Sequence, residues 1–282
     1  MPLVAGVDSS TQSCKVELRD LDSGEVVAVG RGAHPPTNPP RSEQDPTSWW
    51  AALVEAFTQV GPAAADVVAI GVGGQQHGMV VLDAAGVPLH PGKLWNDTES
   101  APQADALVAR AGAAEWAERV GSVPVASFTI TKLAWLVEHH PDVIGRIAMV
   151  MLPHDYLNFR LTGVHATDRG DASGSGWFDA KTGECAAELL ALVGGRDDWA
   201  DLVPTVLGPT EVLGTVTSAA AAELAAAAAV ASLAGNAGKL SVFAFTASTF
   251  PSLAGAAGRL SVFAFTASTF AFTSGKSIPT DS

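Results

Sequence analysis

Residues 6–15 read Gly-Val-Asp-Ser-Ser-Thr-Gln-Ser-Cys-Lys, between an apolar run at residues 3–7 and a second strand-like run at residues 15–20. An aspartate and a hydroxyl-rich turn therefore sit at the mouth of a hairpin, where a phosphate and its metal can be held. Asp8 can face a hydrated Mg²⁺, while Ser9, Ser10 and Thr11 offer hydroxyls and successive backbone N–H groups of the kind that form anion-binding concavities. Asp and Ser also build ordinary β-turns, and that plainer reading competes for the same residues. Working outward, a third strand is expected at residues 26–32 after the turn Asp22-Ser23-Gly24. A Pro-rich connection at residues 34–40 leads to a helix from residue 45 or 47 to 60, a strand at 67–72, a Gly-rich turn and a strand at 79–82. Helices near 99–110, 114–120 and 130–138 precede a buried strand at 147–151. Three strands followed by alternating helix and strand predict an α/β layer with a mixed sheet.

Further along the chain stand Ser42-Glu43-Gln44-Asp45-Pro46 with Trp49-Trp50, Gly74-Gln75-Gln76-His77-Gly78, Trp95-Asn96-Asp97, Leu152-Pro153-His154-Asp155-Tyr156-Leu157, and residues 168–179 around Ala172-Ser173-Gly174. In this order the series resembles the amino-terminal domain of the FGGY carbohydrate kinases, and within them the xylulose kinases, over residues 3–218. The resemblance implies the ribonuclease-H-like half of the sugar kinase and actin superfamily. It also implies that Asp8 is catalytic and holds Mg²⁺ through water, and that Ser9, Ser10, Thr11 and Lys15 belong to a phosphate loop. Gln76 and His77 would contact the sugar, Trp95, Asn96 and Asp97 would line the same pocket, and Asp155 would be structural. Ser10 stands where the family commonly has Gly, which makes close backbone approach to a phosphate harder.

The implied activity is transfer of the γ-phosphoryl of Mg·ATP to the terminal hydroxyl of an open-chain ketose, D-xylulose, giving D-xylulose 5-phosphate. Such transfer rests on positioning and charge stabilisation, with a carboxylate accepting the hydroxyl proton. Glycerol kinases typically carry Arg-Glu where this chain has Gln76-His77, which favours a ketopentose over glycerol. Kinases for ribulose or gluconate, and a catalytically inactive sugar-binding fragment, are the alternatives. Read without the resemblance, Trp95 is an apolar wall or a core residue, His77 an ordinary histidine and Asp97 a helix N-cap.

The carboxyl end departs from the family. Its base is expected in a Gly-Asp-Asn-like motif shortly after the segment matching residues 212–224, followed by a nucleotide-binding domain, and neither is found. From residue 219 the chain is Ala-rich, and residues 232–250 and 252–270 agree at all but two positions, with Asn236 replaced by Ala256 and Lys239 by Arg259. The expectation is a domain at 1–218 and a duplicated tail at 219–282 from a foreign reading frame or rearranged gene end, leaving an impaired kinase. Each copy is β-prone, uncharged and free of Pro over eleven residues, which predicts self-association unless it is buried.

Composition sets the outer bounds. The chain has 282 residues, 48% hydrophobic and 16% charged, enough for a sizeable core. A formal net charge of −13 argues against nucleic acid and against an anionic membrane surface. Cys14 and Cys185 lack metal-ligand spacing and suggest a reduced cytoplasmic protein without zinc. No signal peptide and no spanning segment are expected. Ser274-Gly275-Lys276-Ser277 is not a P-loop, because Phe270 stands where the first Gly belongs. Glu43, Asp45 and the pair Asp197-Asp198 read as solvated surface.

Overall fold

A computed structural model describes residues 1–228 and 240–244. The chain opens with strands β1 (Leu3–Ser9), β2 (Ser13–Asp20) and β3 (Val26–Ala33), then β4 (Glu43–Gln44), α1 (Pro46–Val60), β5 (Val67–Gly74), β6 (Val80–Leu82) and β7 (Gly92–Lys93). Helices α2 (Ala101–Ala111), α3 (Ala113–Val120), α4 (Thr129–His139) and α5 (Pro141–Ile144) follow, then β8 (Met149–Met151), α6 (Pro153–Thr162), β9 (Ala166–Asp168) and α7 (Arg169–Ala172). Last come β10 (Phe178–Asp179), β11 (Glu184–Cys185), α8 (Ala187–Leu190), β12 (Thr205–Leu207), β13 (Gly214–Thr215), α9 (Ser218–Ala227) and β14 (Ser241–Ala244).

The main sheet has six strands in the order β13-β14-β5-β1-β2-β3. The β1–β2–β3 hairpins are antiparallel, whereas β5 runs parallel to both β1 and β14, so the sheet is mixed as expected. Strand β2 alternates buried and half-exposed residues along its whole length, the period of a strand with one face on the core. Helix α1 starts where the Asp45 side chain accepts the Thr47 N–H at 2.9 Å with Pro46 in the first turn, and it ends at Gly61 with φ +59°. Its face of Trp49, Leu53 and Phe57 packs onto β2 and β3. The approach is so close that a Cβ on Gly30 or Gly32 would overlap the carbonyls of Ala56 and Ala52. A second cluster, with Trp116, Leu133, Leu136, Val150 and Trp199, gathers α2, α4 and α8 around β6 and β8.

The packed unit does not stop at residue 218. Ala220, Ala221 and Leu224 of α9 and Val242 of β14 are buried in the first cluster, and Trp50 Nε1 donates to Glu223 Oε2 at 2.6 Å. The boundary expected at 218 thus falls inside the fold, and part of the first Ser-Val-Phe-Ala copy is an internal strand beside β5. The rest of the duplicated tail lies outside the described residues. No helix among the described residues is long and apolar enough to cross a membrane.

Candidate functional site

Because β1 and β5 are parallel neighbours, with Asp8 opposite Gly73 and Ser9 opposite Gly74, the turns after them leave the sheet at the same edge. The Gln75 N–H donates to Ser9 O at 3.1 Å, and Thr11 Oγ1 donates to Gln75 Oε1 at 3.2 Å. Trp95 Nε1 donates to Thr11 Oγ1 at 3.2 Å, so the phosphate-type turn, the Gln75–His77 loop and the Trp95 loop meet on one hydroxyl. Trp95 is 49% exposed, so it is not a core residue. Gln44 Nε2 steadies the turn from below by donating to Thr11 O at 3.0 Å, while Gln44 Oε1 accepts from Trp49 Nε1 at 2.7 Å.

The Asp8 side chain lies at that exposed edge and accepts no hydrogen bond among the described residues. The surrounding protein pushes its carboxyl up from 3.8, against the pull of Lys15 and Arg31. An accessible lone carboxylate beside hydroxyls fits Mg²⁺, which is usually held by one or two carboxylates and substrate phosphates with its remaining waters. Ser9 is buried and Ser10 is exposed, with its Oγ and its N–H both directed to Ser13 O at 3.1 and 3.0 Å. Lys15 faces Asp8 across the β1–β2 pair, but its Nζ donates to Glu17 Oε2 at 2.8 Å.

Gln76 and His77 are half-buried beside this edge. His77 takes φ +60°, a left-handed conformation uncommon outside Gly. Asn96 is half-buried, and its Oδ1 has no partner. Asp97 departs from the pocket-lining expectation. It is fully buried, accepts the Ser42 N–H at 2.8 Å and the Glu99 N–H at 3.1 Å, and pairs with Lys93 Nζ at 3.2 Å. Its carboxylate is consumed by a turn ahead of α2 and cannot reach a sugar. Nor does it cap that helix, whose N-cap residue is Ser100.

Lys93 is buried among Glu43 at 2.8 Å, Glu99 at 2.9 Å and Asp97, with the Trp135 ring centroid 3.7 Å away. Burial opposes its charge, but Glu43 and Glu99 raise it above 10.5. Glu43 is therefore an ion-pair partner and Asp45 a helix cap, instead of the free surface charges that their run suggests. Among the described residues the neighbouring Lys132 has only carbonyl partners, Ala126 O at 2.6 Å and Asp97 O at 3.3 Å, and burial pushes it down to about 7.

Behind the cleft, α6 packs against β5 and presents His154, fully buried, to three carboxylates. Its Nε2 lies 3.2 Å from Asp155 Oδ1 and 3.3 Å from Asp168 Oδ2, and its Nδ1 meets Asp171 Oδ2. Burial disfavours the charged ring, yet Asp171 and Asp155 hold it well above 6.5. Burial also drives Asp155 up to about 7, while His154 keeps Asp168 below 3.8 against its own burial. One imidazolium cannot neutralise three carboxylates, which is consistent with the upward push on the Asp155 carboxyl. Asp155 also accepts the Leu152 N–H at 3.0 Å at the start of α6, and the other two partners of His154 were hidden because they lie 14 and 17 residues downstream.

The chain has counterparts among known proteins. Residues 3–241 match the model of the amino-terminal domain of the FGGY family of carbohydrate kinases. A xylulose kinase of Streptomyces rubiginosus is 51% identical over 216 residues, 76% of this chain and 44% of that protein. A xylulose kinase of Streptomyces coelicolor is 52% identical over the same length and shares. The crystal structure of xylulose kinase from Bifidobacterium adolescentis superposes with a TM-score of 0.73 at 37% identity, covering 86% of this chain and 53% of that one. The chain spans somewhat under half the length of these curated relatives.

Proposed function

Since this chain belongs to the FGGY family of carbohydrate kinases, we propose that it forms the sugar-side half of a kinase that phosphorylates D-xylulose with Mg·ATP. The observation that carries this reading is the meeting of the Asp8 turn, the Gln75–His77 loop and Trp95 on Thr11 Oγ1. Phosphate-type and sugar-type groups thereby share one edge of the sheet.

In this reading Asp8 holds Mg²⁺ through water, and the metal when bound offsets charge on the transferred phosphoryl. The turn of Ser9, Ser10 and Thr11 steadies phosphate oxygens with N–H and hydroxyl groups. Gln76 and His77 bond sugar hydroxyls, and Trp95 covers the apolar face of the carbon chain. A site built to bond a hydroxyl rejects analogues lacking it, which is how these polar groups would select a ketopentose. Asp97 is no longer among the ligands. The sequence contains no Gly-Asp-Asn, and the proton-accepting carboxylate is assigned to none of the residues above.

A thermal-shift titration with D-xylulose, ribulose, glycerol and gluconate, run beside a coupled ADP-release assay, tests the proposal. D-xylulose is expected to raise Tm more than the other three do. Any turnover is expected to fall at least a hundredfold in Asp8→Asn with the sugar-induced shift retained. Equal response to all four compounds would refute the substrate assignment.

A further inference from the structure

His77 is held on several sides. Its ring lies parallel to that of Phe128, with centroids 5.4 Å apart and planes 1° from coplanar, the offset stack that aromatic pairs favour. Its carbonyl accepts from Thr129 Oγ1 at 3.3 Å. On the other side Nδ1 lies 3.0 Å from Gly174 O. A Cβ on Gly174 would overlap the ring, so that position admits no side chain while the ring is where it is.

The carbonyl of Gly174 is itself fixed. The Gly174 N–H donates to Asp171 O at 3.0 Å, and the Ile130 N–H donates to Ser175 O at 2.9 Å, tying the turn after α7 to the start of α4. The loop after β5, the start of α4 and the turn after α7 thus hold one imidazole from three directions. A carbonyl oxygen only accepts, so the hydrogen of that bond sits on Nδ1. Nε2 has no hydrogen-bond partner among the described residues, and the side chain is half-exposed.

We propose that Phe128 and Gly174 are positioning residues that fix His77 with hydrogen on Nδ1, leaving Nε2 to accept a hydrogen bond from a sugar hydroxyl. The inference rests on the kinase reading for the sugar, and on His77 geometry alone for the fixed ring. The sugar would be chosen by a donor hydroxyl at a set place, not by a ring free to turn over.

The experiment is ¹⁵N NMR of the ring nitrogens of His77 in the full chain, without sugar and with D-xylulose, followed by sugar titration of Phe128→Ala, Phe128→Tyr and Gly174→Ala. The expected result is hydrogen on Nδ1 in the free protein and a shift confined to Nε2 on binding. Phe128→Ala is expected to weaken sugar binding about fivefold, from loss of a stack worth about 1 kcal/mol, with Phe128→Tyr restoring it. Gly174→Ala should release the ring into mixed hydrogen positions. Hydrogen on Nε2 in the free wild-type protein would overturn the inference even if sugar binds. Fixed Nδ1–H with no sugar binding would overturn the kinase reading and the Nε2 contact together, leaving the ring's fixation standing.

Discussion

Asp97 and His154 are both fully buried ions, and substitution separates their roles from those of cleft residues. Removing one partner of a buried pair leaves an uncompensated charge and costs about 3–5 kcal/mol. Asp97→Ala, which leaves the Ser42 and Glu99 N–H groups unpaired while Lys93 keeps Glu43 and Glu99, is expected to lose about 2–3 kcal/mol in urea unfolding. Were Asp97 a sugar ligand, the change would instead appear as weaker binding at unchanged stability. His154→Gln is expected to cost about 3 kcal/mol at pH 6. Because the folded His154 is held above its ordinary 6.5, its contribution is fully present below pH 6.5 and is lost as pH rises through the folded value. The stability difference between wild type and His154→Gln should therefore shrink in alkaline solution, and a gap that widened with pH would contradict the charged ring. A comparison of the two proteins is needed because Lys132, pushed down to about 7, pulls wild-type stability the opposite way above neutrality.

Among the elements, α1 makes the tightest contact, since Gly30 and Gly32 of β3 admit its backbone directly. Gly32→Val is expected to destabilise by about 3 kcal/mol through overpacking, read from the urea midpoint, whereas Gly145→Ala, where a Cβ meets open space at φ −67°, should lose far less. Strand β2 was legible from its alternation, β1, β3 and β5 from their β-branched apolar runs, and helix α1 from its cap at Asp45-Pro46. Helix α6 was not, since Pro153, His154, Asp155, Tyr156, Leu157 and Asn158 are all buried and no polar stripe marks a 3.6-residue period. Strand β14 was misread for a related reason. An uncharged β-prone run is what a strand flanked on both sides looks like, as well as what an aggregating segment looks like. In the cleft, Asp8, His77 and Trp95 stood out through their motifs. Phe128 did not, and the Ala172-Ser173-Gly174 stretch carried no sign of a tie to His77, because these contacts span 51 and 97 positions.

For the whole molecule, the consequential arrangement is that residues past 218 complete the sheet and the core. A chain ended at 218 would lack β14 and most of α9, uncovering Leu161, Trp50 and the edge of β5. Such a truncation is expected to be insoluble or to show no cooperative unfolding, while a chain ended at 244 should unfold in one transition. Equal behaviour of both would mean that α9 and β14 add nothing. The same placement of β14 has a temporal side. On a ribosome adding 5–20 residues per second, β5 is made roughly 10–30 s before the strand that flanks it, 167 residues later. For that interval the nascent chain carries an open sheet edge that only its own late arrival can close, and any chaperone that helps this protein has its task defined by that wait.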